Sequence, residues 1–298
     1  MKKLVLLALL ATTASAASYA APGDESDLHK RLLTLDTHLD TPAHFGRTSW
    51  SFGDRHDHAT DPVQVDLGRM DEGDLDGGFF VIYTASGPLT PEGYAAAKKF
   101  AFGRADEIHA TFAKFPNRIA LATKASDAAR LDKAGKRIGY ISIENSYPLG
   151  EDLSLLGEFY KRGVRMASPV HFRNNQFADA ATDKPQYGGL SPLGKKWVAE
   201  MNRLGMVLDA SHASDAVLEQ MIALSKTPVI LSHSGSKAIF DHPRNVDDAL
   251  VRKLATRLIE EAFHSELPPG ATAPFILRYN AANVPVLQVA LSSATLSV

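Results

Sequence analysis

Six short runs of apolar and β-branched residues, separated by longer stretches of helical character, constrain this chain more than any other feature. They are Leu33–Asp36, Gly78–Thr84, Ile138–Ile143, Val164–Pro169, Met206–Ala210 and Val229–Ser232. Strands that alternate with helices predict βα units on a parallel sheet. Several runs are continuously apolar rather than alternating, as strands covered on both faces are. Helix signals fall between them. Thr90 and Pro91 supply the N-cap and first turn of a helix predicted to reach Phe115. Ser191 caps a helix from Pro192 to Leu204, which Gly205 ends. Ser214 caps another over Asp215–Leu224, and Pro228 follows as a terminator.

In parallel barrels, chemistry sits just past the carboxyl ends of the strands. The first run leads into Asp36-Thr37-His38-Leu39-Asp40. Residues two apart in extended chain share a side, so His38 and Asp40 can face one ion; the same triplet also suits a turn with a hydrogen-bonded histidine. The third run leads into Glu144, a carboxylate after largely apolar residues, which needs a metal or a salt-bridge partner at the barrel rim. The fifth and sixth lead into His212 and His233, one βα unit apart. Neutral imidazole is the commonest metal ligand.

The chain has no cysteine, which removes disulfides, thiolate zinc sites and a lipoprotein anchor, and its 11 histidines leave His, Asp and Glu as the ligand supply. Three histidines, one aspartate and one glutamate suit zinc and other first-row divalent ions. Five ligands exceed the three that usually hold one catalytic zinc. They suit two ions about 3.5–4 Å apart that share a carboxylate. Glu144 lies between the two pairs in chain order and is the natural bridge.

A net charge of −2 gives no basic field for nucleic acid. Lys2 and Lys3, the apolar stretch Leu4–Leu10 and the small residues Ala14-Ser15-Ala16 and Ser18-Tyr19-Ala20 predict a cleavable targeting segment over about 1–20. That apolar stretch is too short for a membrane span. A periplasmic or secreted location follows as an expectation.

Taken in order, several blocks resemble the membrane (renal-type) dipeptidases, a family of zinc peptidases. They are Asp36-Thr37-His38-Leu39-Asp40-Thr41-Pro42, Gln64-Val65-Asp66-Leu67, Gly77-Gly78-Phe79-Phe80 and Ile143-Glu144-Asn145. Further along come Gly189-Leu190-Ser191-Pro192-Leu193-Gly194, Asn202-Arg203-Leu204-Gly205, Asp209-Ala210-Ser211-His212, Ser232-His233-Ser234 and His242-Pro243-Arg244-Asn245-Val246. The resemblance covers about residues 30–255. It implies an α/β fold, a TIM-type (β/α) barrel of the metal-dependent hydrolase kind. It also implies that His38 and Asp40 bind one zinc, His212 and His233 the second, and that Glu144 bridges them. By the same likeness His171, in Pro169-Val170-His171-Phe172, contacts the substrate carbonyl, and Arg244 binds the substrate carboxylate. The implied reaction is hydrolysis of dipeptides by a metal-activated water. A dipeptide is then the partner, nucleic acid and a membrane span are not, and a homodimer is left open.

The pattern departs after about Leu254-Ala255. Family members pass through a glycine-rich step into another strand and later carry an aspartate used in proton transfer. Here Val251 to Phe263 continues as one helix, and neither feature follows. Residues of the last stretch, among them Glu266-Leu267-Pro268-Pro269-Gly270 and Tyr279-Asn280-Ala281-Ala282-Asn283-Val284, resemble a periplasmic-porter segment of resistance-nodulation-division efflux transporters. The chain thus reads as a targeting segment (1–20), a dipeptidase-like barrel incomplete at its C-terminal end (21–255) and an unrelated tail (256–298). Six strands would leave two open sheet edges. The alternative to a working dipeptidase is a catalytically impaired relative that still binds metal or peptide.

Overall fold

The structure, a computed structural model, describes residues 29–30, 32–264, 275–279 and 285–289, with side chains as far as residue 256. Its centre is one sheet of seven parallel strands: β1 (Leu35–Leu39), β2 (Gly77–Tyr83), β3 (Ile119–Leu121), β4 (Arg137–Glu144), β5 (Val164–Ala167), β6 (Val207–Asp209) and β7 (Val229–Ile230). The order is β1-β2-β4-β5-β6-β7, and β3 also pairs with β4. β2 runs along one whole edge of β4. On the other edge β3 takes the amino half, from Ile119 opposite Arg137, and β5 the carboxyl half, from Val164 opposite Ile141. The expected six strands are therefore seven. The added strand is only three residues long, Ile119-Ala120-Leu121, too short for a periodic signal. β1 also begins later and ends later than its apolar run, so His38 lies within the strand rather than beyond it.

Among the described residues seven α-helices flank the strands: α1 (Leu67–Glu72), α2 (Pro91–Lys114), α3 (Ala125–Lys133), α4 (Ser154–Lys161), α5 (Pro192–Leu204), α6 (Asp215–Leu224) and α7 (Asp248–His264). The cap signals hold in detail. Thr90, Ser191 and Ser214 accept from Gly93 N, Gly194 N and Val217 N, and Gly205 closes α5 at φ 67°. Only a residue tolerant of the left-handed region does this without strain. α7 starts three residues before the helix read from Val251, because Asp248 opens it. Along α2, Ala97, Ala101, Ala105, Ile108 and Phe112 form a buried stripe at helical spacing. The alanines let the helix sit close to β2, while Phe80 and Phe112 meet edge-on at 4.9 Å.

Gly77 and Gly78 have a packing reason. A Cβ at Gly77 would collide with the Ile138 carbonyl on β4, and one at Gly78 would lie 2.7 Å from the Asp36 carbonyl on β1. Glycine there lets both neighbouring strands approach β2. The sheet curls so that its edge strands meet at their carboxyl ends. Thr37 Oγ1 donates to the Ser232 carbonyl at 2.6 Å, although no ladder joins β1 to β7 among the described residues. That curl gathers the strand ends into one site.

After β3, Asp127 in the first turn of α3 accepts from the backbone N–H groups of Thr123 and Lys124 at 2.9 and 3.0 Å. The Arg130 guanidinium and these amides hold its carboxyl at about 2. A depressed carboxyl contributes stability above the ordinary aspartate range, which is lost as pH falls towards 2. Asp127→Ala is expected to cost about 1 kcal/mol in denaturant unfolding near neutral pH, as loss of a helix-start acceptor does. That difference should shrink in acid; one that grows there would contradict the assignment.

The expected targeting segment, 1–20, lies outside the described residues, as does most of the 256–298 tail. Within the tail, β8 (Phe275–Tyr279) and β9 (Pro285–Val289) pair antiparallel with each other in a sheet separate from the central one.

Candidate metal centre

The strand ends deliver the site. His38 is the fourth residue of β1 and Glu144 the last of β4. His171 follows β5 by four residues, while His212 and His233 follow β6 and β7 by three. Their imidazoles converge on one carboxylate. Glu144 Oε1 lies 2.9 Å from His212 Nε2, 3.3 Å from His233 Nε2 and 3.7 Å from His171 Nε2. Glu144 Oε2 lies 3.8 Å from His38 Nε2. Two ligand groups result, His38–Glu144–His233 and Glu144–His171–His212, and Glu144 is common to both.

This grouping differs from the order along the chain. His233 sits with His38, their rings 3.7 Å apart, and His171 joins His212 as a ligand-like neighbour, rings 4.1 Å apart. Asp40 touches His38 Nε2 at 3.3 Å but is 71% exposed and belongs to neither group. The reason is the curl of the sheet, which brings β7 against β1.

Backbone geometry at the site is unusual. Asn145 and His212 have φ of 71° and 69°, in the left-handed region. Non-glycine residues persist there only where their surroundings hold them. Asn145 Nδ2 donates to the Thr84 carbonyl at 2.7 Å and to Ser86 Oγ at 3.1 Å. Its backbone N–H donates to Ser168 Oγ at 3.0 Å, and its Oδ1 accepts from Asn175 Nδ2 at 3.0 Å. The end of β4 is thus tied to the loops after β2 and β5, which fixes the direction of the Glu144 carboxylate.

Electrostatics favours ligand forms. Burial alone would raise the Glu144 carboxyl, but the nearby imidazoles of His212, His233 and His38 hold it well below the ordinary carboxylate range. Burial, His212 and Arg244 push His171 down to about 4. Burial lowers His212 as well. Burial opposes protonation of His38, yet its bond to Asp40 and the charge of Glu144 raise it. His171 and His212 are therefore neutral near pH 7, the state that binds metals.

The donor set fits a divalent cation. Nε2 atoms of His212 and His233 are 2.8 Å apart, and both face Glu144 Oε1. Lone pairs at that spacing repel unless a proton or a cation lies among them. Imidazoles and a carboxylate are donors for zinc and its first-row neighbours.

The same residues line a cleft of about 600 Å³ together with Asp40 and Arg244. Arg244, in the loop between β7 and α7, is half-buried and donates to the His233 carbonyl at 3.2 Å. All seven residues singled out from the sequence reach this cleft. The sequence reading gave no role to the rest of its wall, which includes Tyr83, Phe100, Arg104, Phe172 and His242. Tyr83 ends β2, so the strand-end rule applied there would have found it. Phe100 and Arg104 come from α2, where nothing local distinguishes a cleft-facing position from a surface one.

A parallel sheet with flanking helices and a histidine–carboxylate cluster at its carboxyl ends is the arrangement of α/β barrel enzymes. The profile of the membrane dipeptidase family (peptidase family M19) matches residues 24–257, and the chain belongs to that family. Dipeptidase tcpJ of Claviceps purpurea is 33% identical over 195 residues, covering 64% of this chain and 46% of the relative. An uncharacterised dipeptidase of Schizosaccharomyces pombe is 33% identical over 234 residues, covering 73% and 57%. Among solved structures, the probable dipeptidase PvdM from Pseudomonas aeruginosa superposes with a TM-score of 0.72 at 33% identity, over 78% of this chain and 60% of that one. The chain spans about half the length of the curated relatives it matches.

Proposed function

We propose that this chain is a metallo-dipeptidase that holds two zinc ions bridged by Glu144 and hydrolyses dipeptides. The observation that carries the reading is the convergence of four imidazoles on one buried carboxylate, inside a cleft that also holds a half-buried arginine. Relatives named dipeptidases support the substrate class. His38 and Asp40 on one side and His212 and His233 on the other, with Glu144 between, are the proposed ligands. When bound, such ions acidify a water and polarise a carbonyl.

The chain's own residues supply the remaining work. Neutral His171, at the wall of the cleft, is placed to donate to a substrate carbonyl oxygen as charge develops on it. Arg244 offers a planar fork to a carboxylate, and its partial burial strengthens that pairing. A carboxylate held there selects short peptides whose C-terminus lies near the scissile bond. Tyr83, Phe100 and Phe172 give the cleft apolar wall for side chains.

Among the described residues no helix is long and apolar enough to cross a membrane. Lys2, Lys3 and Leu4–Leu10 support a periplasmic or secreted location.

The test is direct. Purified chain, stripped and reloaded with zinc, cobalt or manganese, is assayed on a dipeptide panel beside metal content per chain. Hydrolysis that a chelator abolishes and metal restores supports the reading. Two metals per chain without hydrolysis would instead identify a binding relative. For Arg244→Ala, KM for a dipeptide is expected to rise at least about 10-fold while an amidated dipeptide is handled as before. Equal effects on both substrates would remove the carboxylate role.

A further inference from the structure

Asp209 ends β6 beneath the histidine cluster and reaches neither the cleft nor any imidazole. It is 3% exposed, and its neighbours Ser211 and Ser232 are 0% and 9% exposed. Its Oδ1 accepts from Ser211 N at 2.9 Å and from Ser232 N at 3.0 Å. Its Oδ2 lies 2.6 Å from Ser232 Oγ. Ser232 Oγ also lies 2.9 Å from His233 Nδ1 and 3.2 Å from Ser211 Oγ, which itself accepts from His233 N at 3.1 Å.

The direction of each bond follows from counting protons. A carboxylate only accepts, so the single Ser232 hydroxyl proton goes to Asp209. The two lone pairs of Ser232 Oγ then accept, one from the Ser211 hydroxyl and one from an N–H on His233 Nδ1. With the proton on Nδ1, His233 Nε2 carries a lone pair. That atom is the one facing Glu144 Oε1 and lying 2.8 Å from His212 Nε2.

We propose that Asp209 is a positioning residue that acts through Ser232 to hold His233 as its Nδ1–H tautomer, with an unprotonated Nε2 turned into the cluster. Isolated imidazole side chains favour the opposite, Nε2–H form, so this state is one the surroundings impose. The functional meaning rests on the metal-centre reading; the tautomer does not. Second-sphere hydrogen bonds of this kind fix ring orientation and raise ligand basicity.

Asp209→Asn gives the sharpest test because it keeps size and the acceptor for the two backbone N–H groups. Its amide would donate to Ser232 Oγ, turn the hydroxyl proton towards His233 Nδ1 and move the ring proton to Nε2. The experiment is nitrogen-15 NMR of the histidine rings in the metal-free full chain, at mildly alkaline pH where imidazole is neutral. The His233 signal is assigned by its loss in His233→Gln. Wild type is expected to show Nδ1–H and Asp209→Asn Nε2–H. Zinc affinity, measured by competition with a chromophoric chelator, is expected to fall about 10- to 100-fold in Asp209→Asn. Ser232→Ala is expected to release the same tautomer, and Ser232→Thr, which keeps the hydroxyl, to restore it.

An Nε2–H ring in wild type overturns the proposal, and it does so even if every variant fails to fold. An unchanged tautomer in a folded Asp209→Asn also overturns it. A wild-type chain with Nδ1–H that takes up no zinc refutes the metal reading and leaves the tautomer assignment standing.

Discussion

Glu144→Gln is expected to lower dipeptide hydrolysis roughly 100- to 1,000-fold, the scale on which a single electrostatic group at a reacting centre acts. The side chain keeps its shape and loses its charge. Four imidazoles within 3.8 Å then face a neutral amide instead of a carboxylate. Because Glu144 belongs to both ligand groups, both should lose metal together. Removing His38 or His212 alone touches one group each. Metal content and kcat measured on the same preparation decide the matter. A Gln variant that retains two zinc ions and wild-type turnover would show that the carboxylate is structural.

The second large effect is on folding. Asp66 is fully buried and caps α1, accepting from Arg69 N and Arg69 Nε, both at 2.8 Å. It also accepts from His56 N at 3.0 Å and lies 3.2 Å from His56 Nδ1. One carboxylate thus ties the loop before α1 to the helix itself. Asp66→Ala would leave the largely buried Arg69 without its counter-charge, and Arg69 Nη2 already lacks a partner among the described residues. Breaking a buried pair from one side costs about 3–5 kcal/mol. Denaturant unfolding of the variant should show a loss of that size; a loss below about 1 kcal/mol would mean the network relaxes or hydrates.

The sign with pH follows from the same bonds. Burial would raise the Asp66 carboxyl, but the hydrogen bonds from Arg69 and His56 outweigh it and lower it. A carboxyl depressed in the folded state contributes stability above the ordinary range near ~3.9, and that contribution fades as pH falls through the folded value. Asp66→Asn is expected to flatten this part of the acid-unfolding curve, read by circular dichroism.

Asp66 also shows what a resemblance conveys and what it leaves out. The block Gln64-Val65-Asp66-Leu67 helped identify the family, yet it carried no physical role until the coordinates placed His56 and Arg69 around the carboxylate. Gly77-Gly78 is similar. The pair marks the family, while its reason is the close approach of β1 and β4 on either side of β2.

Local signals determined much of this protein. Cap residues and breakers such as Ser191, Gly205 and Ser214 act on the backbone within a turn, so the bounds of α5 and α6 follow from the chain itself. Apolar continuity marked five of the seven strands closely enough to place Glu144, His212 and His233 at their ends. The sequence by itself also supplied the ligand chemistry, since a chain without cysteine has only His, Asp and Glu to offer.

Tertiary structure alone decided three things. It added β3, whose three residues pair with the amino half of β4. It set the ring of His233 beside that of His38 and the ring of His171 beside that of His212, because curling of the sheet brings β7 against β1 from 195 residues away. It placed Asp209 beneath Ser232. Each depends on contacts between segments far apart in the chain, and no periodicity or cap records which distant partner a strand end will meet once the sheet has curled.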